Sequence, residues 1–227
     1  MFRIGAKVRF VHNMIQSLKR NPYPAFLTTA ILFLLLPVLF SPVNYLLTWF
    51  NTDDAFYYFV PARNAAAGLG FTFDGIARTN GFHPLWMFVL VPIFAIPDFI
   101  LPLRVVAAIL LLLNLGTAWL LYRLARRHVS PGVAWLIALA FSMLPIIQNE
   151  TTKGGVEAGL NVFLIALLLN RLADTEVKNP RAVLLTSGVA SLAFLARLDN
   201  VFLAGLSGVW LLLVHWNFPG PSSPKGE

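Results

Sequence analysis

The sequence predicts an all-α fold: a polytopic membrane helix bundle of about six spans, or seven if the block Pro84–Pro102 also crosses. Composition is the first reason. Of the 227 residues, 58% are hydrophobic and 12% are charged, a balance outside the range of a water-soluble domain. Patterning is the second. Apolar blocks alternate with short basic clusters, as in the cytoplasmic loops of membrane proteins. That clustering argues against a nucleic-acid partner despite the net charge of +7 and leaves the lipid bilayer as the expected one. The chain has no cysteine, which excludes disulfides, thiolate chemistry and Cys-based metal sites. His12, His83, His128 and His215 have no metal-ligand spacing.

Residues 1–24 form a basic segment with Arg3, Lys7, Arg9, Lys19 and Arg20. Ile4, Val8, Val11, Ile15 and Leu18 recur at helical spacing, as expected of an amphipathic helix on an anionic cytoplasmic leaflet. The apolar block that follows is long and lacks a small-residue cleavage site, so it reads as a retained anchor. The membrane domain covers residues 25–216, with a first non-cytoplasmic loop over 48–84 and a polar tail over 217–227. The first span runs from about Ala25 to Leu47, kinked at Pro37 and Pro42. Val105–Leu124 follows, then Val133–Ile147, Val156–Leu169, Val183–Ala196 and Val201–Trp216.

Pro84–Pro102 carries Pro84, Pro92, Pro97, Asp98 and Pro102, so it is either a span or a broken juxtamembrane segment. The positive-inside rule favours the second. Without that crossing, all but Arg63, Arg78, Arg104, Lys153 and Arg197 of the 17 Lys and Arg residues lie inside. The chain is then a multi-pass protein of the inner or plasma membrane with a cytoplasmic N-terminus. Asp53 and Asp54, the QNETTKGGVE turn and the ARLDN break fall on one non-cytoplasmic face. Irregular polar backbone at membrane depth is tolerated where it lines a wet cavity, so a shared cavity is expected.

Three constellations carry candidate chemistry. In the first loop, Thr52 or Asp53 can cap a helix that runs to about Ala67 and ends on Gly68 or Gly70. Pro61 would bend or split it. Phe56, Tyr57, Tyr58 and Phe59 suit a juxtamembrane helix at headgroup level, and Asp74-Gly75 marks a turn. A cap needs one carboxylate, so the second of the pair Asp53-Asp54 lacks a structural reason. The next constellation is Lys153-Gly154-Gly155-Val156-Glu157. Glu157 either sits at a helix N-terminus, where the dipole favours an anion, or points into the cavity. Asn149-Glu150-Thr151 has the form of a glycosylation sequon, a weak signal. In the third, Arg197-Leu198-Asp199-Asn200, Arg197 and Asp199 either pair across a helical hairpin or leave Arg197 facing a phosphate.

Asp53-Asp54-Ala-Phe-Tyr-Tyr, then Gly68-x-Gly70-Phe71, then Thr79-Asn-Gly-Phe-His83-Pro-Leu-Trp86 resembles the GT-C superfamily of polyprenyl-phosphate-dependent membrane glycosyltransferases. The likeness is to bacterial cell-envelope members of the arabinofuranosyl- and mannosyltransferase type. Gly155-Val156-Glu157 and Arg197-Leu198-Asp199 look like later elements of the group. The resemblance implies transfer of a sugar from a polyprenyl-phosphate donor to an acceptor hydroxyl on the non-cytoplasmic face. Asp53 would be the general base, with Asp54 as its partner or as ligand to a divalent cation. Arg78, His83, Lys153 and Arg197 would serve the departing phosphate, and Glu157 and Asp199 would complete the substrate site. A hard cation suits oxygen ligands, although nothing in the sequence demands one. Members of this group are longer, so the chain matches their N-terminal half, and a second polypeptide or larger membrane complex is an expected partner. The competing reading is a non-catalytic membrane subunit or scaffold, favoured by small residues scattered through the spans. A transporter is less well supported, because the spans hold few ionisable residues.

Overall fold

A computed structural model describes residues 23–174 and 179–217. The segment expected to lie on the cytoplasmic leaflet falls outside the described residues apart from its last two, and the C-terminal tail apart from its first. The described residues are all-helical: α1 Tyr23–Phe40, α2 Val43–Trp49, α3 Asp54–Ala66, α4 Pro84–Phe94, α5 Leu101–Ala125, α6 Pro131–Met143, α7 Pro145–Thr151, α8 Ala158–Asp174, α9 Pro180–Ala196 and α10 Val201–Asn217. A 3₁₀ turn, Leu198–Asn200, joins the last two.

Proline sets most of the starts. Pro84, Pro102, Pro131, Pro145 and Pro180 each occupy the first or second helical position, where a missing N–H loses nothing. Two prolines divide expected single spans. The first expected span is two helices broken at Ser41-Pro42. The segment expected as Val133–Ile147 bends by 60° between α6 and α7. The QNET of the expected QNETTKGGVE turn is helical, as part of α7. Pro61 leaves α3 unsplit.

The Pro84–Pro102 block makes an 11-residue helix and then an irregular link. At 1.5 Å per residue that helix covers about 16 Å, half a bilayer core. Asp98 ends the link. Its Oδ1 accepts from the backbone N–H of Ile100 at 2.7 Å and Leu101 at 2.6 Å, which starts α5 four residues earlier than the expected Val105. Those two hydrogen bonds, Leu101 first, hold the Asp98 carboxyl below its ordinary pKa. Among the described residues, only α5 is long and apolar enough to cross a membrane by itself, and the bent pair α6–α7 meets the same criterion jointly.

Cross-links fix the directions of the long helices. Arg104, near the start of α5, donates to the carbonyls of Leu39 and Ser41 at the end of α1. Trp119, near the end of α5, donates to Thr28 of α1 at 3.2 Å, so the two run antiparallel. Asn170 of α8 donates to Leu120 of α5 at 2.9 Å, and Arg127 pairs with Asp174 at 2.5 Å, so α8 runs parallel to α5. The rods α1, α5, α6–α7, α8, α9 and α10 therefore alternate up and down. One end of the bundle gathers Arg123, Arg126, Arg127, Arg171 and Arg181. The other end gathers α3, α4, the Lys153–Glu157 turn and the Arg197–Asn200 break. Trp86, Leu46, Met87, Leu90 and Leu110 fill the interior between them.

Candidate functional site

The site is assembled where three non-helical stretches meet. The glycine turn before α8 docks on the start of α3. Asn51 donates through its backbone to Lys153 at 3.2 Å, and the Thr52 hydroxyl donates to the Gly154 carbonyl at 3.1 Å. Trp86 of α4 donates its indole N–H to the Gly155 carbonyl at 3.0 Å. Thr52 is thus occupied away from the helix it was expected to cap. Asp53 stands at the N-cap position in a helical conformation and makes no side-chain cap bond.

Gly155 is required here on two counts. Its φ is +68°, and an added Cβ would lie 2.6 Å from the Cβ of Ala55 and 3.0 Å from the Phe50 ring. Gly155→Ala should destabilise the fold by at least about 2 kcal/mol, from strain plus overpacking. Gly68 (φ +81°) has open space around it, so Gly68→Ala should cost about 1 kcal/mol, the conformational part alone. Chemical unfolding of the two variants in mild detergent separates these terms.

The turn delivers Glu157, buried at 5% exposure, into the centre of the site. Its Oε2 accepts from the Tyr58 hydroxyl at 2.7 Å, and its Oε1 accepts from Arg197 Nη1 at 3.1 Å. His83 Nε2 lies 3.6 Å from the same Oε1. Tyr58 is buried as well, and its oxygen accepts the backbone N–H of His83 at 3.1 Å. Burial first, then the hydrogen bond to Glu157, raises the Tyr58 hydroxyl well above its ordinary value of 10.0, so it remains a donor. One carboxylate therefore ties together α3, α4, the start of α8 and the break after α9.

Tyr58→Phe should lower stability by about 1.5–3 kcal/mol, the worth of a hydrogen bond to a charged group. Its pH dependence has a definite sign. A proton held more tightly in the folded state stabilises fully below the unfolded pKa and is progressively lost as pH rises above it. The wild type should lose stability above pH 10.0 more steeply than Tyr58→Phe, as thermal unfolding at a series of pH values would show.

Arg197 is not a free cation. While Nη1 holds Glu157, Nη2 and Nε reach the same Asp199 oxygen at 3.1 and 3.3 Å. The inward pair is buried on the Glu157 side; the outward pair ends on Asp199, whose side chain is 67% exposed. Both expectations for this motif are therefore met in part: the residues pair with each other, and the arginine also faces the cleft. The backbone of Asp199 and the Arg197 bond hold its carboxyl below its ordinary pKa. Asn200 donates to Asn161 at 2.5 Å and to the Ala193 carbonyl at 2.7 Å, which anchors the break to α8 and α9.

Part of this network lines one open cleft of about 560 Å³, with Asp54, Asn80, His83, Glu150, Glu157 and Arg197 on its walls and Asp199 off them. Not all expected site residues are there. Asp53 is exposed and is not on the cleft wall, whereas Asp54 is. Arg78 is exposed on the hairpin closed by the Thr72–Arg78 bridge, whose Asp74-Gly75 tip forms as expected. Lys153 lies over the Trp49 ring, 5.2 Å from its centroid, and also stands off the wall. The aromatic run splits: Tyr57 faces the cleft, Tyr58 enters the network, and Phe59 packs in the core. Tyr58 is the functional candidate that sequence reasoning missed. Its signal was spacing: one helical turn from Asp54, it must share that residue's face. No group of three His, Asp or Glu side chains placed to hold a metal ion is found among the described residues.

No protein-family model matches the chain, and no curated protein or solved structure matches it.

Proposed function

We propose that the chain is a multi-pass membrane glycosyltransferase of the lipid-linked-sugar type, with Asp54 rather than Asp53 as general base. The observation that carries the reading is Asp54 on the wall of a polar cleft that also holds the Glu157–Arg197–His83 cluster. An acceptor hydroxyl entering the cleft gives its proton to Asp54 as its oxygen bonds to the anomeric carbon. The bond from that carbon to the phosphate oxygen breaks, and the phosphate leaves with the electron pair. Arg197 offers the departing phosphate its Nε/Nη2 edge once Asp199 gives way. Asp199 is the exposed, replaceable partner; Glu157 is the buried one and holds the guanidinium in place. Substitution of Asp53 or Arg78 should leave turnover near the wild-type level.

Membrane insertion through six rods is supported by what the outer surface exposes. Leu184, Leu185 and Leu192 of α9, and Phe202, Leu206 and Leu212 of α10, all point outward. At 17 residues each, α8, α9 and α10 measure about 25 Å, which calls for local thinning of the bilayer. The basic end then faces the cytoplasm and the cleft faces away from it.

Because the chain has no cysteine, single cysteines report sidedness directly. Asn80→Cys, on the cleft wall, should react with a membrane-impermeant maleimide in intact cells. Arg126→Cys should react only after permeabilisation. The opposite pattern would sink the orientation and the proposed donor side with it. A scaffold role has one observation in its favour: an outward groove of about 580 Å³ between α9 and α10, floored by Ala190, Gly205 and Gly208, where a partner helix could approach closely. A stoichiometric partner retained through mild detergent, with no transfer by the chain alone, would favour that reading.

A further inference from the structure

The proposed reaction uses one face of α3; the other face carries a second site. Arg63 follows Asp54 by nine residues, about two and a half turns, so it projects from the opposite side of the helix. There a cavity of about 390 Å³ opens between α3 and the link from α4 to α5. Its walls are apolar, formed chiefly by Leu47, Phe56, Phe59, Val60, Phe94 and Leu103. Two charged side chains stand among them, Arg63 and Asp98.

Both are exposed, and they do not pair with each other. The Arg63 side chain makes no hydrogen bond or ion pair with any described residue. Asp98 spends only Oδ1, on the cap of α5, and so keeps its negative charge and its second oxygen for a ligand. An apolar groove at the edge of a membrane protein takes hydrocarbon. Its rim here offers one unpaired cation and one unpaired anion. A headgroup bearing only negative charge would satisfy Arg63 and be repelled by Asp98. A headgroup bearing a phosphate and a primary ammonium satisfies both.

We propose that this groove binds a zwitterionic aminophospholipid with a phosphoethanolamine headgroup, its phosphate on Arg63, its ammonium on Asp98 and one acyl chain along the Phe59–Phe94 wall. The site is separate from the transfer cleft and does not depend on the glycosyltransferase reading. A phosphocholine headgroup fits less well, because its methylated nitrogen has no proton to donate to Asp98.

The test uses the full chain, delipidated in mild detergent and titrated with phosphatidylethanolamine, phosphatidylglycerol and phosphatidylcholine of identical acyl chains. Native mass spectrometry counts the bound lipid. The expected result is one phosphatidylethanolamine bound in preference to the other two. Arg63→Gln should weaken all three, since each carries the phosphate, by roughly five- to tenfold. Asp98→Asn keeps the Oδ1 acceptor that caps α5 and removes only the charge, so it should abolish the preference over phosphatidylglycerol. Both positions are exposed, and cooperative thermal unfolding, lowered only slightly in Asp98→Asn by loss of the charge at the start of α5, would confirm that the variants fold. Equal retention of the three lipids, a preference for phosphatidylglycerol, or an ethanolamine preference that survives Asp98→Asn would overturn the proposal.

Discussion

Asp54→Asn should lower sugar transfer by roughly a hundredfold to ten-thousandfold, the usual loss when a positioned general base is removed. It should do so without unfolding the protein. Asp54 is exposed at the first residue of α3, and its carboxylate makes no hydrogen bond to a described residue. Its structural worth is limited to the attraction between an anion and a helix N-terminus, about 0.3–1 kcal/mol. Asp53→Asn is the matched control. It removes the same charge from the same turn, but from a residue off the cleft wall. Kinetics of the two variants in proteoliposomes, alongside their melting curves, separate a chemical role from a generic negative charge. Equal losses in both would remove the assignment of Asp54 as base.

Glu157→Ala should be the most destabilising single change at the site, by about 3 kcal/mol, the low end for breaking a buried ion pair. The low end applies because Arg197 keeps Asp199 and is 37% exposed. The truncation also strands the Tyr58 hydroxyl, which is buried and has the Glu157 carboxylate as its acceptor. Glu157→Gln should cost less. Its amide oxygen can serve Tyr58 or Arg197, but its NH₂ group then faces the other donor. The double variant Glu157→Ala/Arg197→Ala should lose less than the sum of the single losses, since each single change already removes the contact they share. Unfolding midpoints of the four proteins in one detergent test this, and strict additivity would mean that the two side chains do not act as a pair.

Much of the helical order was legible in the sequence, because proline and polar interruptions both leave a strong local signature. The Pro84–Pro102 block does hold a short helix that starts at Pro84, whereas Pro42 and Pro145, read inside single spans, each open a new helix. The convergence of the first loop, the KGGVE turn and the RLDN break followed from counting basic residues on each side of the apolar blocks. What was not legible depends on rotation about a helix axis. Asp53 and Asp54 are neighbours in sequence but point about 100° apart on or beside a helix, so only one reaches the cleft. Tyr58 looked like one ring in an interfacial run, since nothing local reveals that a partner 99 residues away supplies its acceptor. Arg197 read as either the partner of Asp199 or a phosphate ligand, and its use of two carboxylates at once depends on how deeply Glu157 is buried. Spans were harder still: a kink at Pro145 turns one apolar block into two helices 60° apart.

The proposed reaction moves a sugar from a lipid phosphate with Asp54 as base. The most direct measurement is release of polyprenyl phosphate, with transfer of labelled sugar to an acceptor, by the purified chain in proteoliposomes supplied with pentosyl and hexosyl polyprenyl-phosphate donors. The expected result is turnover with at least one donor and its collapse in Asp54→Asn. Turnover that survives Asp54→Asn, or a folded wild-type chain that releases polyprenyl phosphate from none of them, would contradict it.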